Sequence, residues 1–202
     1  TINVSDVVEA LPSLTPQFEE KALLAFIWDR RFEDRIQKRI GNTAFNHLRN
    51  TIPPNWIVGE EKYFSPGMPG GVTTSLGLAG LSRSKRKFVL KTSGFTNDCS
   101  WTEGVHFLHT LSRQDASTLL SAAEENNRCL HVVQVFTKPS SDNNIQYSDS
   151  QGVHNMLGRV RITPYYGNRA NQVGKLVGIK ATIVENTNKI HAGTHSINTA
   201  IV

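Results

Sequence analysis

The run CLHVVQVF, Cys129–Phe136, constrains the fold more than any other stretch of this chain. It is rich in β-branched and aromatic residues and is bounded by Lys138-Pro139-Ser140-Ser141, so it reads as a strand. An earlier apolar run, Phe88-Val89-Leu90, reads as a second strand that ends on Lys91. A core strand avoids a lysine and a plain hairpin has no use for one. A lysine at a strand end instead suits a negatively charged ligand. Between the two strands lie a polar loop, Thr92–Gly104, and a helix expected from Ser112 to about Asn126-Asn127. Ser112 is placed to cap that helix, with Asp115 in its first turn.

The N-terminal segment has helical periodicity. Thr15 can cap it, Pro16 fits the first helical position, and Glu19 and Glu20 suit the first turn. Leu24, Ile27, Trp28, Phe32, Ile36 and Ile40 form one apolar stripe that ends at Gly41. A shorter helix follows from Thr43 to about Arg49, and Trp56-Ile57-Val58 reads as a short strand. Tyr63 to Gly80 is a loop by composition. The basic run Arg83-Ser84-Lys85-Arg86-Lys87 is expected to be a solvated turn. The last third is β-rich: Gly158–Ile162 places Arg159 and Arg161 on one face, and Leu176–Val184 and the C-terminal tail read as further strands. This order predicts an α+β fold in three stretches, 1–55 helical, 56–138 a first lobe and 139–202 a second, β-rich lobe.

Charge narrows the partners. The formal net charge is +5 and the pI about 9.4, which favours nucleotides, phosphorylated metabolites or nucleic acid. No apolar run approaches the length of a membrane-spanning helix, so no membrane partner is expected. The chain begins at Thr1 without Met, as a processed product or excised domain would. Its two cysteines, Cys99 and Cys129, give neither a disulfide framework nor metal spacing, which points to a reducing, cytoplasmic setting. Cys129 is expected in a buried strand.

Lys91 and the loop after it offer anion-binding chemistry: an ammonium, the hydroxyls of Ser93, Thr96, Ser100 and Thr102, and backbone N–H groups opened by Gly94 and Gly104. It is not a Walker A loop. The order strand, loop, helix, strand resembles the nucleotide-binding lobe of ATP-grasp enzymes. Phe88–Lys91 resembles the lysine strand, Ser93–Val105 the phosphate lid and Val132–Phe136 the hinge strand. The resemblance implies a two-lobed ATP-grasp-like domain behind N-terminal helices, with a cleft between the lobes. It implies ATP held by Lys91, Ser93, Gly94 and Thr96, with adenine at Gln134, Val135 and Phe136. It further implies an ATP-dependent ligase that joins a small-molecule or peptide carboxylate to an amine through an acylphosphate.

In the second lobe the resemblance assigns Arg159 and Arg161, with Lys91, to the transferring group, and Mg²⁺ to Glu185 with Asn186 or Asn188. The chain reads Glu185-Asn186-Thr187-Asn188 where the family has Glu-x-Asn. His191 and His195 lie four apart around Gly193, which suits loop ligands for substrate better than a zinc pair. His106, His109, His131 and His154 read as packing or surface residues. The alternative is a nucleic-acid-binding or nuclease-like protein that uses Tyr165, Tyr166 and the neighbouring arginines without nucleotide.

Overall fold

A computed structural model of the chain describes residues 20–94, 99, 103–138, 143–169, 172–185 and 196–201. It is mixed α and β, with two antiparallel four-stranded sheets. The chain divides into two compact units, 16–137 and a second that takes in 138–202.

The N-terminal helical pattern is divided where one helix was expected. Helix α1 is a single turn, Leu23–Phe26, and α2 spans Arg30–Ile40. Asp29 causes the break. Its backbone is extended, it bridges to Phe64, and its carboxylate accepts from the Arg31 backbone N–H at 2.9 Å as the cap of α2. An aspartate capping a new helix outweighs the continuing apolar stripe. The buried carboxylate also accepts from the Arg31 guanidinium, which holds that guanidinium above its ordinary value. Gly41, at φ 83°, ends α2, and α3 follows at Asn42–Thr51. Thr15, Pro16 and Glu19 lie outside the described residues.

Strands β1 (Asn55–Ile57), β2 (Phe88–Ser93), β3 (Val105–Phe107) and β4 (Leu130–Val135) pair in the order β1-β4-β2-β3. The runs expected to be strands at 88–91 and 129–136 therefore lie side by side. Helix α4, Arg113–Glu125, packs against β4 and against the 3-10 turn Leu76–Gly80. Ser112 caps α4, accepting from the Asp115 N–H at 3.0 Å. Trp56, Phe88, Leu90, Val133, Leu108 and Leu120 belong to one buried core, with Trp56 edge-on to Phe88 at 6.2 Å.

In the second unit β5 (Asn143–Asp149), β6 (Gly152–Arg169), β7 (Gln172–Glu185) and β8 (Ser196–Ile201) form a meander in chain order. Pro164 lies within β6, on a stretch that β5 does not flank, because the β5–β6 ladder stops at Asn143 and Gly158. Proline is tolerated on such an open edge. Among the described residues no helix is long and apolar enough to cross a membrane.

Candidate anion sites

Lys91 is not the last residue of its strand, because β2 runs on to Ser93. Register places Val89, Lys91 and Ser93 on one face with Gln134 and Val132 of β4. Lys91 Nζ donates to Gln134 Oε1, its diagonal neighbour. Burial first, and the Lys21 ammonium second, push Lys91 below the ordinary lysine value. Among the described residues no carboxylate forms an ion pair with Lys91.

Ser93 is fully buried and its hydroxyl is engaged. It donates to Glu20 Oε1 at 2.5 Å and accepts from the Ala22 N–H at 2.8 Å. Lys21 donates to the carbonyls of Thr92 and Cys99. The loop's first residues thus hold the N-terminal segment, a role that sequence spacing of about 70 positions does not advertise. Val135 and Phe136 are partly buried, and Phe136 stacks on His109 at 4.9 Å. Thr96, Ser100, Thr102, Asn186, Asn188, His191 and His195 lie outside the described residues.

Arg159, Arg161 and Glu185 belong to the other unit. Arg159 pairs with Val184 and Arg161 with Thr182, which puts both arginines on one face of β6. Arg159 is buried and Arg161 exposed. Glu185 is exposed at the end of β7, opposite Gly158. Among the described residues no cluster of three or more His, Cys, Asp or Glu could hold a metal ion. Asn186 and Asn188, the residues expected beside Glu185, fall outside the described stretch.

A second cationic site lies at the start of α4. A pocket of about 430 Å³ is lined by Gly80, Ser82, Arg83, Arg86, Ser112 and Arg113, together with Leu81. Arg86, expected in a solvated turn, is only 1% exposed. Its guanidinium donates to the carbonyls of Leu108 at 2.9 Å, Ala79 at 3.0 Å and Leu111 at 2.7 Å. Burial, then the like charges of Arg83 and Arg113, push it below the ordinary arginine value. Arg83 and Arg113 are exposed at the rim. No carboxylate lines the pocket. Asp115, the nearest acid along α4, accepts from Ser112 Oγ at 2.6 Å. The sequence signal was the basic run itself. What it lacked was Arg113, thirty positions from Arg83 and brought in by α4.

No family model, no curated protein and no solved structure matches this chain.

Proposed function

We propose that this protein binds a phosphate-bearing ligand of the nucleotide class, with its phosphates at the Arg83–Arg86–Arg113 pocket. The observation that carries this reading is the convergence of three guanidiniums on one pocket with no lining carboxylate. Guanidinium forks match phosphate oxygens in pairs. Arg86 is locked by carbonyl acceptors, so it supplies fixed positive charge from below. Arg83 and Arg113 remain at the surface to close on the ligand. The Ser82 hydroxyl, paired with Ser84 Oγ at 3.1 Å, adds a neutral polar group to the lining, while the Ser112 hydroxyl is committed to Asp115. A bound anion would relieve the mutual repulsion of the three arginines.

Calorimetric titration of a non-hydrolysable ATP analogue tests the reading. Wild type is expected to bind, and Arg83→Ala and Arg113→Ala each to weaken binding at least tenfold, about 1.4 kcal/mol. Equal affinity in all three proteins would refute it. An oligonucleotide titrated at two salt concentrations separates the nucleic-acid alternative, whose binding falls steeply with salt.

A second reading, the ATP-dependent carboxylate–amine ligase, rests on Lys91. Its supporting observation is a half-buried lysine beside Lys21 with no ion-paired carboxylate among the described residues. ATP, when bound, would supply the phosphoryl group that activates a carboxylate. Lys91 would attract the phosphates, and Gln134 would orient the ammonium. Loss of binding in Lys91→Ala, with Arg83→Ala and Arg113→Ala unaffected, would favour this reading over the first.

A further inference from the structure

Gly94 stands where the chain's two cysteines converge. The β2–β4 ladder pairs Ser93 with Leu130, so one step further on Gly94 comes opposite Cys129. A Cβ built on Gly94 would meet Cys99 Sγ at 3.1 Å and Cys129 Cβ at 3.6 Å. Taken end to end, these distances put Cys99 Sγ within 6.7 Å of Cys129 Cβ. Gly94 also has φ 148°, a conformation that favours glycine. The missing side chain leaves room for the Cys99 sulfur beside the Cys129 stem. Both residues stand as thiols in this structure.

We infer that Cys99 and Cys129 form a reversible intrachain disulfide across Gly94. The difference in their burial sets the order of events. Cys129 is partly exposed and Cys99 is buried. An incoming low-molecular-weight disulfide therefore reacts first at Cys129. The Cys129 thiol gives up its proton, its sulfur bonds to one sulfur of the reagent, and the other half leaves as a thiolate. The deprotonated Cys99 sulfur then attacks the Cys129 sulfur and expels the second half as a thiolate. Two electrons pass from the cysteines to the reagent, which is reduced to two thiols. Disulfides need Cβ atoms about 3.5–4.5 Å apart, so the Cys99 sulfur has at most a few ångströms to close on the Cys129 stem. Lys21 donates to the carbonyls of Thr92 and Cys99, so the link would also fix the partners that hold Lys21 near Lys91.

The test uses the folded full chain incubated with a large excess of oxidised glutathione, then read by intact mass and non-reducing peptide mapping. The expected product is a monomer lighter by two hydrogens, with the Cys99 and Cys129 peptides joined and released again by dithiothreitol. Cys99→Ser is expected to stop at a glutathione adduct on Cys129. A lasting glutathione adduct on the wild-type chain, a covalent dimer, or an unchanged mass would each overturn the inference. The wild-type result needs no variant to fold.

Discussion

Replacing Arg86 with methionine tests the strongest structural claim about the cationic pocket. Methionine fills similar space but donates nothing. Three carbonyls, those of Leu108, Ala79 and Leu111, would lose donors at 2.9, 3.0 and 2.7 Å. Leaving buried acceptors unpaired costs about 1–3 kcal/mol each. Relief of the repulsion from Arg83 and Arg113, and of the guanidinium's own desolvation, offsets part of this. The net loss expected is about 3 kcal/mol, the range reached when a buried hydrogen-bond hub is broken. Urea unfolding followed by tryptophan fluorescence reads it directly, because Trp56 lies in the same core as Leu108. The midpoint should fall with little change in slope. A loss below about 1 kcal/mol would refute the reasoning, since surface substitutions stay within that range.

Three further outcomes follow from the same geometry. Ser112→Ala removes the cap of α4 and should cost about 1 kcal/mol in the same unfolding assay, with Ser112→Asp retaining most of it. Lys91→Met should leave stability unchanged or raise it by about 1 kcal/mol, because it removes a lysine disfavoured by burial and by Lys21. His109 and His131 are both held below the ordinary histidine value, chiefly by burial. Their unfolded forms take up protons first as pH falls, so stability is present above the unfolded value of about 6.5 and declines on acidification. Urea midpoints at neutral and mildly acidic pH should show this decline, and His109→Phe should flatten it.

Local signals were legible in the sequence. The strands at Phe88–Leu90 and Leu130–Val135 and the Ser112-capped helix depend on neighbours in the chain. The α+β class followed from their order. The N-terminal break was not legible in the apolar stripe, because Asp29 is drawn out by Phe64, a residue 35 positions on. Arg86 reads as one more charge in a basic run. Its burial is set by carbonyls from residues 79, 108 and 111, which only the tertiary fold assembles. Cysteine spacing suggested no pairing, since the meeting of Cys99 and Cys129 depends on the register of β2 against β4. Lys91 stands out in the sequence as a charge in an apolar run, yet its neighbour Lys21 arrives from a segment that no local pattern connects to β2.

The most direct test of the central claim is to titrate the wild-type chain and the Arg83→Ala/Arg113→Ala double variant with inorganic triphosphate and, separately, with adenosine. If phosphate is the group recognised and the arginine pocket is its site, triphosphate binds wild type and displaces the ATP analogue, adenosine does not, and the double variant loses the triphosphate. Binding of adenosine alone, or triphosphate binding that is indifferent to both arginines, would contradict the account.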